Sequence, residues 1–379
     1  MTLPGNALYP HGGRDGMPAA GRFFSAGGKA LRCELCPRFC VIRPGERGAC
    51  GARENRKEPL ENGGKTAGGK ALSLPFYGYI TAMAEDPIEK KPLYHFRPGS
   101  RILSFGFAGC NLHCPFCQNW RISRIEGTVP GRYLPPARAA EAAAACGGLA
   151  AYTYSEPLIH AEYLIDCMKA ARDAGAANVL VTSGCVNRVP AGEILALTDA
   201  VNVDLKSFSE KTYAKILGGS LQAVLDFIVL ARRMNVHVEI TTLVVPGMND
   251  SPSELDECAA FIAALEHEGT PRPVPWHLSA YHPDYRWDAP ATDPAKLIEA
   301  AERALKRLNY VYTGNIHGEA GFSGTFCSFC GAPLVKRNGY RVQTQGLALE
   351  NGSYFCAACG KPAPIWGGSG AIAPAGAIV

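Results

Sequence analysis

Between residues 101 and 313 short apolar runs alternate with amphipathic stretches. The runs at 102–107, 149–153, 178–182, 200–205, 236–244, 275–279 and 310–312 predict strands. The stretches at 136–146, 157–174, 191–197, 210–217, 221–234, 252–266 and 294–308 predict helices. Several of these begin with Pro near the first turn, and Ser251 precedes Pro252 as a capping hydroxyl. Strand–helix alternation on this scale predicts an α/β fold of βαβ units with a parallel sheet, open or barrel-like. In barrels of this kind the chemistry sits at the C-terminal ends of the strands.

The flanks read differently. Residues 1–30 are rich in Gly and poor in apolar side chains and are expected to form a flexible arm. Residues 31–100 are expected to form a small irregular Cys-rich module, with a Gly-rich stretch at 62–70 and a strand-like stretch at 71–83. The barrel-like region is set at 101–318. A further module is set at 325–366, where two Cys pairs bracket an alternating stretch through Tyr340, Val342, Leu347 and Leu349. Residues 367–379 are expected to be a flexible tail.

Composition narrows the class. The length of 379 residues is a soft prior for two to three domains. A formal charge of +4 is too near neutral to argue for a polyanionic partner. Apolar content of 47% with 19% charged residues excludes wholesale disorder. No apolar run approaches the roughly 20 residues of a membrane span, and residues 1–20 lack the apolar core of a secretory signal. The expectation is a cytoplasmic chain.

Cysteine changes the picture most. Eleven of the 15 Cys fall into three tight groups: Cys33, Cys36, Cys40, Cys50; Cys110, Cys114, Cys117; and Cys327, Cys330, Cys356, Cys359. Closely spaced thiols in a chain of this size, without an export signal, point to metal rather than to a disulfide framework. The middle set has the spacing C-x3-C-x2-C just after the first predicted strand, so a single loop could wrap three corners of a cubane. A fourth local thiolate is absent, which would leave one iron open to a ligand, as in an open zinc site. A three-Cys zinc site completed by His113 is the alternative, although His113 lies directly before Cys114, a poor spacing for one tetrahedron.

The Cys110–Cys117 stretch resembles the radical-SAM superfamily, whose cluster chelates the amino and carboxylate groups of S-adenosylmethionine through its open iron. The resemblance implies a partial (β/α)6 TIM-like barrel, a [4Fe–4S] cluster at Cys110, Cys114 and Cys117, and Phe116 packed near the adenosyl group. It continues in order through about residue 313. Thr153-Tyr154-Ser155-Glu156-Pro157 stands where the superfamily carries a Gly-Gly-Glu segment that receives the methionine amino group. Both glycines are missing here. It implies Ser155, Glu156, Thr182 and Ser183 as cofactor contacts, and Asp204 and Lys206 resemble the Asp-x-Lys that glycyl-radical-enzyme activases use at the fourth strand. His282 matches a His that contacts the adenosine. The bland readings are a helix N-terminal charge for Glu156, an ion pair for Asp204 and Lys206, and an ordinary loop residue for His282. The implied chemistry is reductive: one electron cleaves the sulfonium to methionine and a 5′-deoxyadenosyl radical, which removes hydrogen from a substrate. A flavodoxin or ferredoxin would supply the electron.

Cys327 and Cys330 with Gly331, then Cys356 and Cys359 with Gly360, read as the two knuckles of a zinc ribbon. Lys336, Arg337 and Arg341 make no long basic run, which argues against nucleic acid. Cys33, Cys36, Cys40 and Cys50 read as a four-thiolate metal site, with zinc and a second iron–sulfur cluster both open. Three modules in this order resemble the AmmeMemoRadiSam system radical-SAM enzymes, related to pyruvate formate-lyase activating enzymes. Arg32 to Pro37, Asp86 to Phe96, Cys110 to Trp120 and Val311 to Asn315 carry this likeness; His317, where a Pro-Gly turn is expected, departs from it. That resemblance fixes cofactor chemistry far better than substrate, which stays open between a small molecule and a protein. One competing reading is an activase that forms a glycyl radical on a partner enzyme. Another, of a different class, is a multi-zinc interaction or nucleic-acid-binding protein.

Overall fold

The computed structural model describes residues 19–56, 71–125, 129–266, 272–316 and 322–367. His317 and the expected C-terminal tail beyond residue 367 lie outside them. The chain divides into two compact units, Met1–Glu85 with Ile102–Thr198 and Tyr213–Phe227, and Asp86–Arg101 with Asp199–Thr212 and Ile228–Val379.

In the first unit, strands β1 (Arg101–Phe107), β2 (Leu149–Thr153) and β3 (Ala177–Thr182) are parallel, with β2 in the middle. Leu103 pairs with Ala150 and Leu149 with Ala177. β2 is buried along its whole length. Strands covered on both faces read as unbroken apolar runs, which is why they were visible in the pattern. Helices α1 (Pro136–Ala145) and α2 (Ala161–Asp173) follow β1 and β2, and α3 (Arg188–Leu195) follows β3.

Residues 19–30, expected within an arm, instead supply strands. Ala19–Ala20 pairs with Leu72–Leu74, and Phe24–Gly27 forms a hairpin with Ala30–Cys33, which also pairs with Val41–Ile42. The physical reason is an anchor that composition hides. Arg53 is fully buried and donates to Glu162 at 2.8 and 2.9 Å, while the backbone N–H of Arg22 donates to the same carboxylate at 2.6 Å. Residues 1–18 lie outside the described residues.

In the second unit, β4 (Ala200–Asp204), β5 (His237–Val244), β6 (Trp276–Ala280) and β7 (Val311–Gly314) form a consecutive parallel run. Helices α5 (Pro252–Leu265) and α6 (Pro294–Ala304) return the chain between β5, β6 and β7; α4 (Leu221–Arg233), which begins in the first unit and ends in the second, precedes β5. Ser251 caps α5 by accepting from the Glu254 N–H, and Asp293 caps α6 by accepting from that of Ala295.

Two expected helices are not uniform. The 157–174 stretch opens with a 3-10 turn, Pro157–His160, before α2. The 210–217 stretch is one α turn, Glu210–Thr212, followed by a π turn, Tyr213–Leu217. Within the first unit the carbonyl of Leu217 accepts from His113 N–H at 2.7 Å, and that of Tyr213 from Gly219 N–H at 2.9 Å. These bonds take carbonyls out of the regular helical ladder.

The second unit ends in two small antiparallel sheets: Thr325–Phe326, Pro333–Asn338 and Arg341–Gln343, then Leu347–Glu350 with Ser353–Cys356. Their core is Cys327, Leu334, Val335, Cys356 and Ile365. Among the described residues no single helix is long and apolar enough to cross a membrane.

Candidate functional site

The loop Cys110–Cys117 leaves the C-terminal end of β1. Its backbone is held from several sides. Arg38 Nε donates to the Asn111 carbonyl at 2.6 Å and Arg124 Nη1 to the Leu112 carbonyl at 2.9 Å. Asn111 Nδ2 donates to the Cys185 carbonyl at 2.7 Å, just past the end of β3. His160 is buried and its Nε2 donates to the carbonyl of Ala108 at 2.8 Å. Burial pushes its pKa down to about 4, so the neutral tautomer that donates there persists.

The three thiols sit differently. Cys114 is buried, and Cys110 and Cys117 are half-buried. The Leu112 N–H points at Cys110 Sγ at 3.4 Å, and Ser123 Oγ lies 3.2 Å from Cys117 Sγ. His113 does not join them. Its Nδ1 accepts from Arg38 Nη2, and burial, with Arg38 and Arg124 nearby, lowers its pKa to about 4. The zinc alternative through His113 therefore loses its fourth ligand. Phe116 is buried beside them in sequence.

Next in the same unit, Ser155 donates to the Phe107 carbonyl at 2.7 Å, tying the end of β2 to the end of β1. Glu156 is 2% exposed and accepts four bonds: from Thr182 Oγ1 at 2.5 Å, Ser183 N–H at 2.9 Å, Ser183 Oγ at 2.6 Å and Leu158 N–H at 3.1 Å. The last of these caps the Pro157–His160 turn, which is the bland reading of this residue made concrete. Burial raises the Glu156 pKa, and the bonds from Ser183 and Thr182 oppose it. A carboxylate offers about four lone-pair sites. All four are taken by the chain itself, so Glu156 locks the ends of β2 and β3 together.

Tyr154 is a feature that sequence reading missed. Its φ is +70°, a left-handed conformation costly for a bulky residue. It stands at one of the positions where the resemblance described above leads one to expect glycine. Gly106 leaves it room: a β-carbon there would lie 3.0 Å from Tyr154 Cδ2. The missing glycine was the available signal.

In the second unit, Lys206 Nζ lies 3.2 Å from Asp204 Oδ2 at the end of β4, the pairing expected of a strand-end ion pair. Asn249 Nδ2 donates to the Lys206 carbonyl at 2.8 Å and holds the turn after β5 against it. His282 is exposed, two residues beyond the end of β6.

The ribbon thiols converge. Cys327, Cys330, Cys356 and Cys359 have all four Sγ atoms within 4.8 Å of one another, with Cys327–Cys359 at 3.8 Å and Cys330–Cys356 at 3.7 Å. Zn–S bonds of about 2.3 Å in a tetrahedron put sulfurs roughly 3.8 Å apart. The donor set and its spacing therefore fit zinc. Gly331 N–H bonds back to Cys327 O and Gly360 N–H to Cys356 O, closing each knuckle.

A loop of three thiols and no fourth at the mouth of a parallel α/β sheet, beside a carboxylate and two hydroxyls at neighbouring strand ends, defines a class. Residues 105–262 match the Radical SAM superfamily, and the chain belongs to it, with an α/β fold whose parallel strands are typical of that superfamily's partial barrel. A protein of Methanocaldococcus jannaschii described as uncharacterized is 36% identical over 341 residues, covering 88% of this chain and 95% of its own. The pyruvate formate-lyase 1-activating enzyme of Escherichia coli is 27% identical over 225 residues, covering 56% of this chain and 91% of its own. Among solved structures, Streptococcus suis SuiB bound to S-adenosylmethionine has a TM-score of 0.45 at 15% identity, covering 56% of this chain and 52% of that one. Membership implies an enzyme using a [4Fe–4S] cluster and S-adenosylmethionine. Three thiols on one loop, Cys114 buried and Cys110 and Cys117 half-buried, are a donor set that fits the cluster.

Proposed function

We propose that Cys110, Cys114 and Cys117 ligate the cluster and leave one iron for S-adenosylmethionine, and that the enzyme abstracts a hydrogen atom from an organic substrate. The observation that carries this reading is the three-thiol loop at the end of β1, which lacks a fourth side-chain ligand of its own. When bound, the cluster and S-adenosylmethionine supply one-electron cleavage of a carbon–sulfur bond and a 5′-deoxyadenosyl radical.

The chain's own residues orient and shield. Arg38, Arg124 and His160 fix the loop backbone on both sides of the thiols. Phe116 offers an apolar face to the adenosyl group. Ser155, Thr182 and Ser183 offer hydroxyls to the polar end of the cofactor, and Glu156 holds the latter two in place as a positioning residue. Its negative charge favours an ammonium nearby. Asp204, Lys206 and His282 are proposed cofactor contacts on the strength of their own strand-end positions. Exclusion of water around the cofactor would prevent quenching of a reactive radical. The reductant class is flavodoxin or ferredoxin, and the domain plan is a Cys-rich module at 31–100, a barrel at 101–318 and a zinc ribbon at 325–366. Within the superfamily, the AmmeMemoRadiSam group is the assignment that the order of modules supports.

Anaerobic reconstitution followed by assay for 5′-deoxyadenosine tests the reading. A second reading, activation of a partner enzyme by forming a glycyl radical, is favoured by the likeness to the Escherichia coli activating enzyme. That likeness covers 56% of this chain. A glycyl-radical EPR signal on a candidate partner, dependent on S-adenosylmethionine, would select it.

A further inference from the structure

The N-terminal cysteines are not absorbed by the function above. Cys33-x2-Cys36-x3-Cys40 and Cys110-x3-Cys114-x2-Cys117 each place three thiols within eight residues, with the two gaps in reversed order. Cys50 adds a fourth thiol to the first set.

The fold brings the N-terminal set together. The Cys33 N–H donates to the Cys40 carbonyl at 2.9 Å, closing the loop at the hairpin end. The Phe39 N–H donates to the Cys36 carbonyl at 3.1 Å inside that loop. Cys50 sits in a turn closed by Gly51 N–H to Gly48 O and Gly48 N–H to Arg53 O, both 2.8 Å. Cys33 and Cys36 are buried; Cys40 and Cys50 are half-buried. Cys33, Cys36 and Cys50 each feel the charge of others in the set.

Three observations point to a ligand. First, Arg53 is fully buried beside Cys33 and Cys50, and its Nε has no hydrogen-bond partner. A buried orphan donor next to thiols calls for a sulfur acceptor. Second, the sulfurs are near one another, yet they do not converge. Among the described residues the ribbon is the one set of three or more His, Cys, Asp or Glu whose ligand atoms lie within 4.8 Å. A single zinc ion needs that convergence, while a [4Fe–4S] cubane gives each thiolate its own iron and so holds the ligand sulfurs farther apart. Third, the set abuts the Cys110 loop. The Asn111 side chain lies beside Cys36, Arg38 holds the Asn111 carbonyl, and Cys50 O packs against Gly109.

We propose that Cys33, Cys36, Cys40 and Cys50 ligate a second iron–sulfur cluster, closed by four thiolates, beside the loop at Cys110. With every corner taken it has no open iron, so it does not bind S-adenosylmethionine. The neighbouring cationic Arg53 offsets the negative charge of its thiolates. The proposal does not depend on how the Cys110 set is read.

The test is metal and sulfide analysis with Mössbauer spectroscopy on full-length protein reconstituted anaerobically with iron, sulfide and zinc. The triple variant Cys110→Ala/Cys114→Ala/Cys117→Ala should keep about four irons and four sulfides per chain in a cubane spectrum, with zinc held in the ribbon. Adding Cys36→Ser and Cys40→Ser to it should remove that iron and leave the zinc. The retained zinc and an unchanged far-ultraviolet circular dichroism spectrum report that the chain has folded. Should the folded triple variant hold no iron, or a second zinc, or a Cys33–Cys40 disulfide in place of metal, the proposal is overturned. Adding S-adenosylmethionine to the triple variant should leave the Mössbauer spectrum unchanged; a perturbed iron would contradict the closed cluster.

Discussion

The carbonyl oxygen of Cys50 occupies the space a β-carbon on Gly109 would need, and Gly109 holds φ at +90°. The residue directly before Cys110 is thus pinned by the N-terminal module through backbone, not through a side chain that could swing away. Gly109→Ala must shift that backbone and also adopt a conformation that L-residues avoid. It is expected to cost about 2 kcal/mol or more and to lower iron loading. Urea denaturation checks the first and iron counting the second; a variant as stable and as fully loaded as the parent would refute the packing argument.

The buried Arg53–Glu162 pair ties the same module to α2, with side chains 1% and 7% exposed. Glu162→Ala leaves a guanidinium alone in the interior and should destabilise by about 3–5 kcal/mol. Replacing both partners, Arg53→Met with Glu162→Leu, should recover much of that loss. A double-mutant cycle measures the coupling. Additive single effects would mean the pair is not acting as a unit.

Acid stability has a definite sign. His95 is buried; its Nδ1 donates to the Pro364 carbonyl, so its Nε2 accepts from Tyr312 OH at 2.6 Å. Burial is the largest cause that pushes its pKa down, to about 3. His160 is lowered by burial to about 4. Both are depressed below an unfolded value of about 6.5. Their stabilisation is therefore complete above that pH and lost as pH falls toward the folded values, by about 1.4 kcal/mol per pH unit for each group. Denaturant titrations from pH 7.5 to 4.5 should show this loss, reduced in His95→Gln. A flat profile would contradict the assigned neutral tautomers.

In the same unit Glu239, fully buried on β5, accepts from His237 and His277 and from the N–H groups of Tyr94 and His95, at 2.7 to 2.9 Å. Burial alone would raise its pKa, yet the bonds from His237 and His277 outweigh it and hold the carboxylate ionised. Glu239→Gln keeps the size but loses the charge and one acceptor, so at least one of the four donors is stranded. A loss of about 2–3 kcal/mol at pH 7 is expected from denaturant unfolding; an unchanged midpoint would show that the network carries no stability.

Separation of the two metal centres is a further outcome. Cys114→Ala should abolish 5′-deoxyadenosine formation while zinc in the ribbon stays at the parent level, because the ribbon has its own core of Leu334, Val335 and Ile365. Loss of zinc in this variant would mean that the two centres do not fold independently.

The parallel strands were legible because burial on both faces writes them as unbroken apolar runs, and the predicted and observed limits of β1, β2 and β3 agree within a residue. The ribbon thiols were legible because each of their two Cys pairs is local in sequence. What was hidden depends on partners far along the chain. Arg53 and Glu162 are 109 residues apart, so strands within 19–30 looked like an arm. Glu239, an acid inside the apolar 236–244 run, was a visible anomaly, but its donors come from segments far apart in the chain. The π turn at Tyr213–Leu217 answers to His113, about a hundred residues earlier, and no local pattern carries that.

The central claim is that the Cys110 loop holds a cluster that cleaves S-adenosylmethionine. The direct measurement is 5′-deoxyadenosine released by anaerobically reconstituted, chemically reduced protein supplied with S-adenosylmethionine, followed by chromatography and mass spectrometry. The account predicts release by the parent chain and none by the Cys110→Ala/Cys114→Ala/Cys117→Ala variant. Parent protein fully loaded with iron that releases no 5′-deoxyadenosine, or equal release by the triple variant, would contradict it.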